Sequence, residues 1–280
     1  MAEHKHKGYC YLNGIYISIN KATISPLDSG FMRGYCVTDF LRTYSRKVFM
    51  FDEHFKRFAE GAKILGLKLN VSKKEMLGII NNVLKKNSKD VKGEFKIKML
   101  LSGGIGAHDL AISDKTTLFV YAGPIATHTL DMYEKGVKLV MYKYHRYLPE
   151  AKTSHYIEAI RQQGNIKKGK AAEVLYTGNT HVYECSTSNF FIFKNGKLIN
   201  NDEGVLQGIT KLVMLKAAKG KFPIENRLIT IKELKNADEA FITSTTREVM
   251  PVVQIDNIKI GNGKVGPNTR QLMIEFKRYI

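Results

Sequence analysis

Segments with a two-residue apolar period and segments with a 3.6-residue period succeed one another along this 280-residue chain. That alternation narrows its possible folds more than any other feature. Residues 9–12 and 15–19 flank Asn13-Gly14, a pair that accepts the two positive φ angles of a tight hairpin turn. Residues 37–44 and 48–50 form a second pair, joined through Ser45-Arg46-Lys47. A helix is expected from Asp52 as N-cap, with Phe55, Phe58, Ala59, Ala62 and Leu65 on one face and Gly66 as its stop. Ser72 and Glu75 have the capping-box spacing and introduce a second helix with Met76, Ile79, Ile80, Val83 and Leu84 on its apolar face. Strands follow at residues 95–101 and 117–121. The Gly- and Pro-containing stretch after them has no clear period and reads as a boundary. We therefore expect a small N-terminal domain over residues 1–122, a linker over 123–130 and a larger domain over 131–280. The second domain reads as strands at 137–142, 173–176, 189–193, 197–199, 240–244 and 252–255, the third and fourth separated by Asn195-Gly196. Helices are expected after Ser154, over residues 210–219 and at the C-terminal end. The fold class is α/β (α+β), in two domains.

A composition of 44% hydrophobic and 25% charged residues excludes a disordered chain. No apolar run reaches the roughly 18 residues that cross a bilayer. The opening run, through Lys7, lacks the apolar stretch of a secretory signal, so a cytoplasmic protein is expected. Cys10, Cys36 and Cys185 are odd in number and far apart, which suits neither a zinc site nor a disulfide framework. The net charge of +18 attracts polyanions and anionic metabolites alike. Its lysines are scattered, as at Lys73-Lys74, Lys85-Lys86 and Lys167-Lys168, with no basic arm and no stripe interleaved with aromatics. They read as a solvated surface rather than a nucleic-acid interface.

Four clusters could carry chemistry. Lys152 stands between a Pro-containing loop and an apolar helix, where a disfavoured ammonium becomes a nucleophilic amine able to condense with aldehydes. Read alone, it is also an ordinary surface lysine. Glu184 precedes the aromatic stretch Asn189-Phe-Phe-Ile-Phe193, an odd place for a carboxylate unless it has a partner. Leu206-Gln-Gly208-Ile209-Thr210 runs straight into a helix, so its N–H groups and hydroxyl form a phosphate seat or a plain helix start. Ser244-Thr245-Thr246 is a hydroxyl-rich turn that can hold the same phosphate or only bond locally.

In order and spacing these clusters resemble the class IV pyridoxal-phosphate enzymes: branched-chain aminotransferases, D-amino-acid transaminases and aminodeoxychorismate lyases. The resemblance runs from Leu12-Asn-Gly14 to Pro251-Val-Val253 and includes Gly30-Phe-Met-Arg-Gly34 and Val48-Phe-Met-Phe-Asp-Glu-His54-Phe-Lys-Arg57. It implies pyridoxal 5′-phosphate as cofactor, a small N-terminal α/β domain, a larger domain with a barrel-like sheet, and a homodimer. It implies that Lys152 carries the cofactor as a Schiff base and moves the substrate proton. Glu184 would accept the pyridine N–H and Tyr156 would bond the phenolic oxygen, with His155 where relatives often carry Asn. Arg57 would pair with the phosphate, completed by Gly208, Ile209, Thr210, Ser244 and Thr245, and Leu206 would pack on the ring.

The departures fall on the substrate pocket. Where many relatives read Gly-Asp-Gly-Val-aromatic-Glu, this chain reads Gly34-Tyr-Cys36-Val-Thr38-Asp39. The loop Leu101-Ser-Gly-Gly-Ile-Gly-Ala-His108-Asp109 lacks the Arg-Asn-His carboxylate trap of bacterial D-amino-acid transaminases. Arg33 is the candidate carboxylate holder, and Thr38, His108 and Thr246 are further substrate candidates. The function expected is an amino-acid transaminase using 2-oxoglutarate or another 2-oxo acid, with the branched-chain type favoured. The alternatives are a D-amino-acid transaminase, which the 244–251 stretch resembles at least as well, then an aminodeoxychorismate lyase, and remotely a non-catalytic nucleic-acid binder.

Overall fold

The structure, a computed structural model, describes residues 7–108 and 110–280. The opening run 1–6, read above for a signal, and Asp109, at the end of the glycine-rich loop, lie outside the described residues. The chain divides into two compact units. Unit 1 holds the described residues up to Ala126 together with Ala151–His155, and unit 2 holds Thr127–Glu150 and Tyr156–Ile280. The sequence pattern puts residues 151–155 in the second domain; the structure groups them with the first. Their backbone pairs there with a strand, a long-range partnership that no local pattern announces.

Unit 1 contains β1 (Tyr9–Leu12), β2 (Ile15–Ser18), α1 (Ser29–Arg33), β3 (Cys36–Tyr44), β4 (Lys47–Val48), α2 (Phe51–Ile64), α3 (Lys73–Asn87), β5 (Phe95–Ser102) and β6 (Thr117–Pro124). Its strands form one antiparallel sheet in the order β2-β1-β6-β5-β3-β4. Asn13 and Gly14 adopt the positive φ angles that the hairpin needs. The β3–β4 turn is tighter than expected, because Tyr44 pairs with Lys47 and leaves only Ser45 and Arg46, both at positive φ. Arg46 offsets that strain through Nη2, which donates to the Val91 carbonyl (2.8 Å), and by laying its guanidinium over Phe95. α2 starts one residue before the expected cap, with Met50 at its boundary and Asp52 and Glu53 in its first turn, where the helix dipole favours carboxylates. The Ser72–Glu75 capping box opens α3. The short helix α1, capped by Asp28, has no periodic signal.

Asn87, at the end of α3, is buried against β1 and β6. It accepts from Tyr9 N–H (2.6 Å) and donates to the carbonyls of Tyr9 and Ala122 (2.8 Å each). A buried amide that satisfies three main-chain groups fixes the helix to the sheet, since each group left unmet costs about 1–3 kcal/mol.

Unit 2 contains α4 (Leu130–Glu134), β7 (Val137–Lys143), α5 (Ile157–Arg161), α6 (Gln163–Gly169), β8 (Glu173–Thr177), β9 (His181–Cys185), β10 (Asn189–Lys194), β11 (Lys197–Asn200), α7 (Ile209–Ala218), β12 (Ile224–Asn226), β13 (Ile229–Thr230), α8 (Ile231–Leu234), β14 (Glu239–Ser244), β15 (Glu248–Ile255), β16 (Ile258–Lys259) and α9 (Pro267–Lys277). Its sheet runs β12-β11-β10-β14-β15-β7-β8-β9-β13, with β16 on β15. The β7 strand is parallel to both β15 and β8, and most other pairs are antiparallel. Phe190, Ile192, Ile242, Met250, Val252 and Leu175 lie in one core cluster of this sheet. Sequence reading misses α4, β9, β12, β13, α8 and β16: only the Gly178-Asn179 turn announces β9, and the others span five residues or fewer. None of the described helices is long and apolar enough to cross a membrane.

Replacing Asn87 by Ala leaves three main-chain groups, one of them fully buried, without their side-chain partner. Urea denaturation is expected to show a loss of about 3 kcal/mol, and a loss below about 1 kcal/mol would remove the amide from its anchoring role.

Candidate functional site

In unit 1, the strand β3 serves two neighbours through its two faces, because successive side chains of a strand point opposite ways. Its odd-numbered residues meet α2. Val37 Cγ2 lies 2.7 Å from where a Cβ at Gly61 would stand, so only glycine lets the helix come this close. Asp39, fully buried, accepts from Arg57 Nε through Oδ2 and from Arg57 Nη2 through Oδ1, at 2.8 Å each. His54 Nδ1 lies 2.7 Å from the same Oδ1. Burial disfavours the Asp39 carboxylate, but Arg57 and His54 outweigh it and hold its pKa far below the ordinary carboxylate range. Burial pushes the His54 pKa down, with Asp39 opposing and with Arg57 and Lys152 adding to the fall.

The even-numbered residues of β3 meet the segment that carries Lys152. Thr38 donates its N–H (2.7 Å) and its hydroxyl (3.3 Å) to the Lys152 carbonyl. Val37 and Thr153 form an antiparallel bridge, and Ser154 N–H donates to the Cys36 carbonyl (3.2 Å). Cys36 Sγ donates to Ser154 Oγ (2.7 Å), which in turn donates to the Gly34 carbonyl (3.2 Å). Burial keeps the Cys36 thiol protonated by raising its pKa. The Lys152 Nζ stands 5.4 Å from the centre of the Phe40 ring, a cation–π distance. Thus Cys36 and Thr38, two departures from the family pattern, are both engaged by the lysine segment. Thr38, expected as a substrate contact, is buried and spends its hydroxyl on Lys152.

Arg57, expected to meet the phosphate, directs Nε and one Nη at Asp39, and is not the solvated arginine that an amphipathic helix would otherwise suggest. Arg33 ends α1 and is exposed. His108 is exposed too, with its carbonyl accepting from Ala111 N–H (2.9 Å).

In unit 2, Glu184 sits near the end of β9 and is 4% exposed. Its Oε2 accepts from Leu206 N–H (3.2 Å) and Asn189 Nδ2 (3.3 Å), and Arg146 Nε stands 3.4 Å from Oε1. Arg146 also lies over the Tyr156 ring at 5.3 Å and donates to the Ser186 carbonyl (2.6 Å). Its charge survives burial because Glu184 and the Tyr156 hydroxyl favour it. The structure thus brings Glu184, Arg146, Tyr156, Asn189 and Leu206 into one network.

The chain then passes Gly208 into α7. The nearness of Asn189 Oδ1, 2.1 Å from where a Cβ would be, requires glycine at 208. No side chain caps this helix, which leaves the first-turn N–H groups around Ile209 and Thr210 without a side-chain acceptor. Lys211, next in line and 1% exposed, donates to the Asn201 carbonyl and to Asp202 Oδ1, both at 2.6 Å. It pins the 201–206 loop to α7. Ser244, Thr245 and Thr246 are half-buried at the end of β14 and in the turn that leads to β15.

Arg146, His54 and Lys211 escape a reading of the sequence, and Asp39 enters it only as a departure from the family pattern. Each is an ionisable residue in a strongly basic chain, and only a fold shows which of them are buried and paired. The alternation along β3 offers the one available signal, since it places Asp39 on an otherwise apolar face.

Residues 37–255 match the family model described as amino-transferase class IV. The chain belongs to the class IV aminotransferases. It is 31% identical to the D-alanine aminotransferase of Staphylococcus aureus (strain N315), over 96% of this chain and 97% of that one. Its fold is that of the branched-chain amino acid aminotransferase of Escherichia coli, with a TM-score of 0.87, 23% identity and coverage of 96% and 93%. It is equally that of the T.th. branched-chain amino acid aminotransferase solved with pyridoxamine 5′-phosphate, with a TM-score of 0.87, 24% identity and coverage of 98% and 94%. The two-domain class IV architecture expected from the sequence is the one these neighbours have. The protein is an enzyme, an aminotransferase of a family that works with pyridoxal phosphate on amino and oxo acids.

The neutral His54 has a measurable consequence. The unfolded chain takes up a proton there below the ordinary pKa of 6.5, and the fold resists it, so stability falls as pH falls through that value. Between about pH 7 and pH 5 the urea midpoint should fall less steeply in His54→Gln than in the unaltered protein. Equal slopes would mean that folding leaves the His54 pKa unshifted.

Proposed function

We propose that this aminotransferase holds pyridoxal phosphate through Lys152 and the Glu184 network, and transfers the amino group of an amino acid to a 2-oxo acid such as 2-oxoglutarate. The observation that carries the reading is Glu184. A carboxylate this buried, taking an N–H from Leu206 just ahead of a helix without a side-chain cap, suits a flat protonated heterocycle with a phosphate tail. The donor set of the chain fits that group: one lysine whose carbonyl and two following residues are bonded to β3, one buried glutamate, one tyrosine, and hydroxyls at Thr210, Ser244 and Thr245.

When bound, pyridoxal phosphate supplies an aldehyde carbon and an electron-accepting ring. Lys152 Nζ would be the amine that holds the aldehyde, and its backbone, bonded to β3, would keep it near the reacting carbon as the base that accepts and returns the substrate proton. Glu184 accepts the ring N–H and favours the protonated ring, which strengthens electron withdrawal from the substrate. Tyr156 holds the phenolic oxygen, steadied by Arg146. Leu206 covers the ring. Ile209 and Thr210 N–H groups, next to Gly208, hold the phosphate with the hydroxyls of Thr210, Ser244 and Thr245, and Arg57 adds charge. Arg33, His108 and Thr246 remain candidates for the substrate carboxylate.

Two substrate readings stand. The branched-chain reading has the fold likeness and a relative named as a putative branched-chain aminotransferase at 30% identity behind it, and the D-amino-acid reading has the D-alanine aminotransferase of Staphylococcus aureus at 31% identity. D-alanine and L-leucine are therefore the two substrates to try side by side. We also read the protein as a cytoplasmic homodimer. Its three cysteines are free, as a reducing compartment allows, and unit 1 exposes Leu27, Phe31 and Leu110.

Borohydride treatment of protein incubated with pyridoxal phosphate should fix the cofactor on Lys152, read by peptide mapping. Lys152→Ala should lose that adduct and at least about 100-fold of turnover. An adduct elsewhere would end the assignment. Incubation with 2-oxoglutarate and either D-alanine or L-leucine separates the two substrate readings, since turnover with one alone removes the other.

A further inference from the structure

Three consecutive hydroxyl side chains, Ser186, Thr187 and Ser188, turn toward one carboxylate. Glu173, the first residue of β8, is 2% exposed. Its Oε1 accepts from Ser186 Oγ (3.0 Å), from Thr187 Oγ1 (2.7 Å) and from Thr187 N–H, and its Oε2 accepts from Ser188 Oγ (2.8 Å). Arg247 reaches the same carboxylate from another part of unit 2, with Nη1 3.3 Å from Oε2. The same Nη1 donates to Thr187 Oγ1 (3.0 Å) and Ser188 Oγ (3.4 Å).

These contacts join two turns. Residues 186–188 connect β9, which carries Glu184, to β10, which begins with Asn189. Arg247 belongs to the turn between β14 and β15, which also holds Thr245 and Thr246 directly after Ser244. Arg247 N–H donates to Ser244 Oγ (3.3 Å), and its carbonyl accepts from the Tyr133 hydroxyl (3.1 Å). Strands β10 and β14 pair directly, Asn189 against Thr243, so the two turns leave the sheet side by side. A carboxylate buried this deeply needs several donors, and here they come from both turns at once.

We propose that Glu173 and Arg247 are positioning residues of the cofactor site, locking the Ser244–Thr246 turn to the strand pair that presents Glu184. The inference rests on the reading of Ser244 and Thr245 as phosphate holders. It says that the spacing between ring-nitrogen carboxylate and phosphate turn is set before the cofactor arrives, by a bond that touches neither end of the cofactor. The preorganised turn then loses little conformational freedom on binding, which shows as affinity.

Arg247→Met tests it, because it keeps most of the stem and cuts the link while Glu173 retains its hydroxyl and N–H donors. Pyridoxal phosphate titrated into the apoprotein, followed by absorbance, should bind about tenfold more weakly, as expected for one lost charge-assisted link. The melting midpoint of the apoprotein should move by no more than about 2 °C, and Arg247→Lys should recover part of the affinity. Glu173→Gln should weaken binding at least as much. Unchanged affinity in Arg247→Met overturns the proposal, as does a loss that appears only together with a large fall in the apoprotein midpoint. Unaltered protein that takes up no pyridoxal phosphate, or is fixed by borohydride away from Lys152, removes the reading of the site and this inference with it.

Discussion

Lys152 owes its place to the main chain of β3. The carbonyl of the lysine takes both the N–H and the hydroxyl of Thr38, and the next two residues, Thr153 and Ser154, pair with Val37 and Cys36. A long, flexible side chain is useful for covalent chemistry only when its backbone is still, because freedom at the root multiplies along four carbon–carbon bonds. The strand provides that stillness on one face and, on the other, buries Asp39 between His54 and Arg57 of α2. One strand therefore fixes both the backbone of Lys152 and the side chain of Arg57. Slipping its register by one residue would exchange the two faces and undo both.

Unit 2 answers a different problem, the burial of negative charge. Glu184 and Glu173 lie on the adjacent strands β9 and β8, and each has its own arginine, Arg146 and Arg247. Each also collects hydrogen bonds from neighbouring turns. The buried thiol of Cys185 feels both carboxylates. Burial raises its pKa well above the ordinary value, and Glu173 and Glu184 push the same way. The arginines make the arrangement tolerable and give it direction. Held by these pairings and by the hydrogen bonds around them, the two carboxylates organise their surroundings rather than decorate them.

The high positive charge looks different in this light. Much of it is the scattered lysine surface read from composition, but part of it is spent inside. Lys211, Arg57, Arg146 and Arg247 are all largely withdrawn from solvent and paired. The family likeness explains the general plan of the site, while Thr38 and Cys36 show how this chain has altered it. Side chains that stand where many relatives have an aromatic residue and a glycine have become fastenings for the lysine segment.

The periodic elements, the Asn13-Gly14 hairpin and the Ser72–Glu75 cap are legible in the order of residues, since each depends on neighbours close together in the chain. The motif order around Lys152, Glu184, Gly208 and Ser244 is legible too, because spacing along the chain is a property of sequence. Packing in three dimensions was needed to bring residues 151–155 into unit 1, to turn Arg57 to Asp39, and to gather donors from two turns around Glu173. Those outcomes depend on which charges end up buried together, and desolvation is a property of the packed environment that no local stretch of residues contains.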